Sequence, residues 1–314
     1  MTKFIAFGAW TLMAAMVVLA VSSTPGYAQN SSWRSFVSSA GNDANNCKLA
    51  TPCASIARAV TVTPDTGTIT CLDPHQGNYG VYLDKSMTID CEGGSLYLLT
   101  ISLPPTATAV IRGLAFDNGN GSSVSVLIAG AGSVVLDRVR VFRGSVACVD
   151  AAPTGPLGLT IVDSAMSACG SGSTGAGVLV KPQPGGSARV TLERTHVSAS
   201  VFGVAIDGSN SSTGINATVS ESVLSNNSQD GLVATSSAGH APIGVLATGV
   251  KSVNNSYGIR AIGPGVTVRV KNSEIAGNGI GVATSGGGAL LSASNNILEA
   301  NGTNGAFTSH LSPK

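Results

Sequence analysis

The sequence has few charged and few aromatic residues, 11% and 4% of its 314 positions. It has 17 lysines and arginines against 16 aspartates and glutamates, and without Lys3 the two signs balance. A chain without excess positive charge has no general attraction to nucleic acid or to anionic membrane, so we expect neither as a partner. The scarcity of aromatic residues also argues against a sugar-stacking aromatic platform.

Sequence motifs of several enzyme classes are missing as well. The chain has no P-loop, no His-Glu-x-x-His, and no cysteine or histidine cluster with the spacing of zinc ligands. We therefore expect no metal and no cofactor.

Only the start of the chain carries a long apolar run. Lys3 precedes the apolar residues 4–21, and the small residues Gly26 and Ala28 follow. This order predicts a signal peptide, residues 1–28, that is cleaved after Ala28. An uncleaved membrane anchor is the alternative, because the run approaches the length of a short span. No later segment is long and apolar enough to span a membrane.

Cysteine usage fits an exported chain. An even number of cysteines in such a chain suggests disulfides rather than free thiols. The six cysteines form three neighbouring couples, although their number allows other connectivities. The favoured pairs are Cys47–Cys53, Cys71–Cys91 and Cys148–Cys169.

A repeat runs from Val134 to the end of the chain. Each unit has alternating apolar residues, a polar and a small residue, a last apolar residue, and then a corner rich in asparagine, serine and glycine. The units recur roughly every 25 residues, which predicts a solenoid of short strands rather than helices. One unit cannot bury its apolar face alone, so successive coils should stack in parallel about 4.8 Å apart.

The segment at residues 41–60, "GNDANNCKLATPCASIARAV", precedes the first predicted strands. It combines a loop of glycine, aspartate and asparagine with a proline and a short amphipathic helix at about residues 54–62. With the repeat, it resembles the right-handed parallel β-helix superfamily, which has the pectin-lyase-like fold, over most of the mature chain. The resemblance implies an all-β chain that forms one right-handed parallel β-helix solenoid with a short N-terminal capping helix. It also implies a secreted or periplasmic protein.

The expected organisation has three parts. Residues 1–28 are the signal peptide, residues 29–66 an N-terminal loop and capping helix, and residues 67–314 the β-helix with a polar C-terminal end.

Aligning the repeats predicts which residues stack on one another. Two inward columns start at Val134 and Leu136 and reach Leu291 and Ala293 in the last repeat. The pair Asn254-Asn255 aligns with three other pairs: Asn226-Asn227, Gly277-Asn278 and Ala300-Asn301. Gly258 aligns with four other glycines: Gly203, Gly231, Gly281 and Gly305. Asparagine and glycine are turn formers, so these positions predict a corner that is repeated on each coil rather than a binding site.

The weak site candidates lie in outward positions. The corner residues Arg138, Asp163, Arg194 and Glu221 alternate in sign, which predicts a charge ladder that avoids stacking like charges. The alternative is a polar binding face with Arg140 and His196 beside it, which would suit an acidic polysaccharide. On that interpretation the candidate catalytic residues are Arg138, Arg140, Arg194 and His196.

Two short matches to enzymes of this fold are incomplete. Gly239-His240-Ala241 and Arg269-Val270-Lys271 resemble two polygalacturonase motifs, but the two motifs that supply the acid and base carboxylates are missing. Asp73-Pro74-His75 resembles part of the Asp-Pro-His-Asp motif of alginate epimerases and lyases, but Gln76 stands in the fourth place.

Two hypotheses follow for the function. The first is an exported, non-catalytic binding or structural module of the cell envelope or extracellular space that is directed at a glycan. The second is a divergent polysaccharide lyase, hydrolase or epimerase that acts on an acidic polysaccharide. The oligomeric state stays open at this point.

Overall fold

A computed structural model describes residues 33–74, 77, 80–117, 124–171, 175–293 and 295–311. The predicted signal peptide at residues 1–28 lies outside the described residues, as do His75 and Gln76. No helix in the described part of the chain has the length and apolar character needed to cross a membrane.

The described chain is a parallel β-helix with three sheets, one along each side of the coil. All sheet pairings are parallel, and each strand pairs with the equivalent strands of the coils before and after it. The first sheet has 12 strands: β1 (Arg34–Val37), β2 (Gly67–Cys71), β4 (Met87–Asp90), β7 (Thr108–Arg112), β10 (Gly132–Asp137), β13 (Pro156–Val162), β16 (Ser187–Glu193), β19 (Ile215–Ser220), β22 (Ile243–Thr248), β25 (Val266–Lys271), β28 (Ala289–Ser292) and β30 (Ser309–His310).

The other two sheets have 9 strands each. The second sheet contains β5 (Ser95–Leu96), β8 (Ala115–Asp117), β11 (Arg140–Phe142), β14 (Ala165–Ser167), β17 (His196–Ser198), β20 (Val223–Ser225), β23 (Lys251–Val253), β26 (Glu274–Ala276) and β29 (Ile297–Glu299). The third sheet contains β3 (Gly80–Leu83), β6 (Leu98–Ile101), β9 (Val124–Ile128), β12 (Ala147–Ala151), β15 (Ala176–Val180), β18 (Phe202–Asp207), β21 (Asp230–Thr235), β24 (Tyr257–Ile262) and β27 (Ile280–Ser285).

Alternate residues of each strand point into the solenoid and form one continuous apolar core. The predicted inward columns are confirmed up to β25. In the last coil, however, Val268 pairs with Leu290 and Val270 with Ser292. The prediction that Leu291 and Ala293 continue these columns was therefore wrong by one residue. Such a slip reverses every side chain, since the side-chain period of a strand is two.

The capping helix is confirmed as α1 (Ile56–Val62), whose buried residues Ile56, Ala59 and Val60 pack on the first coils. Its N-cap is Ser55, whose hydroxyl accepts a hydrogen bond from the amide of Arg58 at 3.0 Å. The strand β1, which was not predicted from the sequence, lies before the helix and extends the first sheet by pairing with β2.

All three predicted disulfides are confirmed: Cys47–Cys53, Cys71–Cys91 and Cys148–Cys169. Their Cα atoms lie 4.6, 4.7 and 5.4 Å apart, within the usual range for a disulfide.

The first corner is the turn between the first and second sheets. Arg138, Asp163, Arg194 and Glu221 occupy it with left-handed backbone, φ between 46° and 52°. The next residue of the turn points inward. There the hydroxyl of Ser222 accepts a hydrogen bond from the amide of Thr195 on the preceding coil at 3.1 Å. This turn therefore satisfies its buried backbone groups through a column of small polar side chains.

The second corner, between the second and third sheets, holds the asparagine pairs. Asn254 is left-handed with φ 57°, whereas Asn255 is buried. The side-chain amides form a ladder in which each Nδ2 donates to the Oδ1 of the next coil. Asn227 donates to Asn255 at 2.9 Å, Asn255 to Asn278 at 3.0 Å, and Asn278 to Asn301 at 2.9 Å. The predicted asparagine ladder at one bend is confirmed.

The glycine column beside this ladder is needed because neighbouring coils approach closely. A Cβ atom on Gly258 would collide with the carbonyl oxygen of Gly281 on the next coil. The alignment of Gly305 with this column was wrong. Ile280 bridges to Thr303, which places Asn304 beside Gly281.

Candidate functional site

The outer face of the third sheet carries a column that is apolar except for one aspartate, where solvated strands would usually carry polar side chains. Five strands in register place these outward residues along it: Leu127, Asp150, Leu179, Ala205 and Val233. Ala205 and Val233 are almost fully buried, although they lie outside the solenoid core. They are covered by their outward neighbours Leu179, Phe202 and Ile262.

This face contains a groove of about 330 Å³. Its floor is aliphatic and aromatic, and its rim is charged or polar. The lining residues are Val146, Leu179, Lys181, Phe202, Ala205, Asp207, Val233, Thr235, Arg260 and Ile262. An apolar concavity with a few polar groups at its edge is the usual form of a ligand site, so we take this groove as the candidate functional site.

An ion pair lies at one edge of the groove. The Nζ atom of Lys181 lies 2.9 Å from Oδ2 of Asp207 on the next coil. Burial alone would raise the pKa of Asp207, but hydrogen bonds from Ser209 and Lys181 outweigh it and lower the pKa. The carboxylate of Asp207 is thus held ionised, with Lys181 as its partner.

A second, buried ion pair lies at the other edge. Asp230 has no exposed surface, and both of its carboxylate oxygens accept hydrogen bonds from the guanidinium of Arg260. The guanidinium carbon lies 4.3 Å from the ring centre of Tyr257. Burial raises the pKa of Asp230 to about 6, although Arg260 acts in the opposite direction.

Asp150 borders the groove on the N-terminal side. It stands between Leu127 and Leu179 in the outward column, and its Oδ1 atom is buried with no hydrogen-bond partner among the described residues. Burial raises the pKa of Asp150, and the charge of Lys181 partly opposes this. This carboxyl group therefore has unused capacity to accept a hydrogen bond.

The site residues predicted from sequence lie elsewhere. Arg138, Arg140 and Arg194 line a different groove, at the first corner, together with Glu92 and Asp163. Nε of Arg194 lies 2.7 Å from Asp163, and Nε of Arg138 lies 3.6 Å from Glu92. The hydrogen bond from Arg194 lowers the pKa of Asp163. Opposite charges thus pair along this corner, as expected for a ladder.

His196 is exposed on the outer face of the second sheet. It lies two coils from Arg140, with Ala165 between them in the same column, and its Nε2 atom lies 3.1 Å from the hydroxyl of Ser225. A catalytic role for Arg138, Arg140, Arg194 or His196 stays a prediction.

The short motif matches take ordinary structural positions. Arg269 and Lys271 are exposed outward residues of β25, and His240 is exposed in a turn. Asp73 accepts hydrogen bonds from Ser38 and from the backbone amide of Ser39. Over the described ranges, no three histidine, cysteine, aspartate or glutamate side chains come together as they would around a metal ion.

No family model matches the chain, and no curated protein matches its sequence. Its structure is similar to that of pectate lyase Pel9A, with a TM-score of 0.50 and 13% identity over 89% of this chain and 78% of that one. Rhamnogalacturonan lyase follows with a TM-score of 0.45 and 10% identity over 89% and 86% of the two chains. The periplasmic alginate epimerase AlgG has a TM-score of 0.33 and 13% identity over 77% and 75%.

The chain has a pectin-lyase-like parallel β-helix fold. At this identity the similarity concerns the fold, and function has to be argued from the side chains of this β-helix.

The ionisable residues in and beside the third-sheet groove were not predicted from the sequence. Asp150, Lys181, Asp207, Asp230 and Arg260 each occupy a different coil, so no local motif unites them. A detectable signal was a charged residue within an otherwise apolar strand, as in "ACVDA" and "GIRAI".

Proposed function

We propose that the protein is an exported, non-catalytic glycan-binding β-helix whose polysaccharide ligand lies in the groove on the third sheet. The observation that carries this proposal is the apolar floor with a polar rim. Sugar rings have apolar C–H faces bordered by hydroxyl groups. Leu179, Phe202 and Ile262 would pack against such a face, while Lys181 and Thr235 would bond the hydroxyls.

Two further observations support the proposal. Three disulfides fit a protein that works in an oxidising compartment, the periplasm or the exterior of the cell. The similar structure of pectate lyase Pel9A is that of a polysaccharide-acting protein with this fold, which is an argument by analogy. Non-catalytic binding is favoured over catalysis because Lys181 and Arg260, the cations that line the groove, both have carboxylate partners.

The test is a binding screen of the purified protein against a glycan array, followed by calorimetry with the best ligand. The substitution Ala205→Arg places a long charged side chain on the groove floor without changing the solenoid core. We expect affinity to fall at least ~10-fold, which is about 1.4 kcal/mol.

The matched control is Ala283→Arg. Ala283 is in register with Arg260 in the same outward column, outside the groove. Its substitution should leave affinity unchanged. Equal loss in both variants, absence of any glycan ligand, or turnover of the bound glycan would contradict the proposal.

A further inference from the structure

A second cavity lies on the same side of the solenoid as the third-sheet groove. It has a volume of about 440 Å³ and lies between the capping helix α1 and β3, the first strand of the third sheet. Apolar and polar side chains line it together, among them Ala57, Val60, Thr61, Tyr82, Asp84 and Lys85. This cavity therefore repeats the combination of apolar and polar groups that is found in the groove.

Tyr82 is the most exposed apolar side chain of this second cavity. Its neighbours in the strand, Val81 and Leu83, are buried, whereas Tyr82 points outward and is 57% exposed. A tyrosine in such a position offers a sugar an apolar ring and a hydroxyl group for hydrogen bonding. Val146, which lines the groove, is also exposed. Each of the two cavities thus presents a large apolar side chain to solvent.

Strand register connects the two cavities. The outward residues that follow one another in register along this column are Tyr82, Thr100, Leu127, Asp150 and Leu179. Steps of about 4.8 Å between coils place Tyr82 ~19 Å from Leu179, which lines the groove. The three residues between them are half-buried. The two cavities therefore lie on one outward column that runs parallel to the solenoid axis.

We infer that the third sheet binds an extended β-1,4-linked glycan that lies along the solenoid axis and occupies both the groove and a second subsite at Tyr82. In such a chain one sugar unit is about as long as the step between coils, so a straight chain can follow the column from one cavity to the other. An α-1,4-linked glucose chain curves and leaves the column. The inference rests on the proposed glycan-binding function and identifies the shape of the glycan, its direction and a further binding residue.

The test varies the length and the linkage of the ligand. The column from β3 to β24 passes through eight strands, so about eight sugars are needed to occupy both cavities. Calorimetry at pH 7 compares tetramers and octamers of β-1,4-linked xylose and of β-1,4-linked glucuronate with an octamer of α-1,4-linked glucose. In at least one β-linked series the octamer should bind at least ~10-fold more tightly than both the tetramer and the α-linked octamer.

Substitutions of Tyr82 test the second subsite. Tyr82→Ala should weaken binding of that octamer about 10-fold and leave tetramer binding within about twofold, because the groove alone accommodates the tetramer. Tyr82→Trp, which keeps an aromatic ring, should retain octamer binding. The control Leu246→Ala removes an exposed apolar side chain from β22, on the outer face of the first sheet, and should change neither affinity. Thermal unfolding checks that all three variants are folded.

Two kinds of failure can be told apart. The inference is overturned, while glycan binding at the groove survives, if the octamer binds no more tightly than the tetramer or the α-linked octamer, or if Tyr82→Ala leaves octamer binding unchanged or weakens both lengths equally. The same holds if the array yields a ligand and neither β-linked series binds. If no oligomer and no array glycan binds, the proposed function fails, and the inference fails with it.

Discussion

At the residue scale, Asp230 stands out because it is the charged side chain that is fully buried among the described residues. It is completely buried, it is bonded by Arg260, and its pKa is raised from 3.8 to about 6. Between these two values the folded chain binds a proton that the unfolded chain has lost. Linkage then requires that the stability contributed at this position falls as the pH rises from about 4 to about 6.

The first prediction compares the wild type with Asp230→Asn in urea unfolding between pH 4 and pH 8. The free energy of unfolding of the wild type, relative to the variant, should decrease by about 2 kcal/mol between pH 4 and pH 7. A difference that is constant, or that grows with pH, would contradict the raised pKa.

Asp207 provides a control of opposite sign. Its pKa is lowered in the folded chain by Ser209 and Lys181, which together outweigh burial. The stability it contributes is therefore present above its unfolded pKa, near 4, and is lost as the pH falls further. Relative to Asp207→Asn, the wild type should lose its advantage as the pH falls below about 4.

Residue chemistry was only partly predictable from sequence. Alignment of the repeats identified the corner residue Arg194 and its neighbour Arg140 as outward residues, and both are exposed. It did not show which outward faces are concave or which charges have partners. Those properties depend on contacts between coils about 25 residues apart, such as that between Lys181 and Asp207.

At the element scale, the second corner is the best-defined repeated unit. Asn255 accepts hydrogen bonds from the backbone amide and the side chain of Asn227, and donates to Leu224, Ser252 and Asn278. All of these contacts are buried, so each lost partner leaves a buried polar group unsatisfied.

We predict that Asn255→Ala lowers the free energy of unfolding by about 3 kcal/mol, measured by urea denaturation. The matched control is the preceding residue. Asn254 is exposed and left-handed, and Gly277 takes the equivalent place on the next coil. Asn254→Gly should change stability by less than about 0.5 kcal/mol. Similar losses in the two variants would contradict the different roles assigned to this pair.

The repeat predicted these corners because a segment rich in asparagine, glycine and serine occurs once in each coil. Register failed only in the last coil, where Leu290 rather than Leu291 faces the core. There the corner before β28 contains the run Gly286, Gly287 and Gly288, which offers no side-chain pattern to fix the alignment. An error of one residue in a loop therefore reverses the following strand.

At the scale of the whole molecule, the three faces of the solenoid differ although they are built from the same repeat. The corner next to the second sheet carries paired charges. The third face carries the aliphatic groove between two ion pairs, with Asp150 beside it. Parallel stacking at a fixed spacing brings residues from successive coils into one continuous surface, which is how a solenoid builds an extended binding face.

The most direct test of this account is a crystal structure of the protein with its tightest-binding oligosaccharide. We expect electron density for the sugar chain on the third sheet, between Val146 and Ile262 and in contact with Leu179 and Phe202. Density at the first corner, against Arg138, Arg140 and Arg194, would contradict it and would restore the site expected from the sequence.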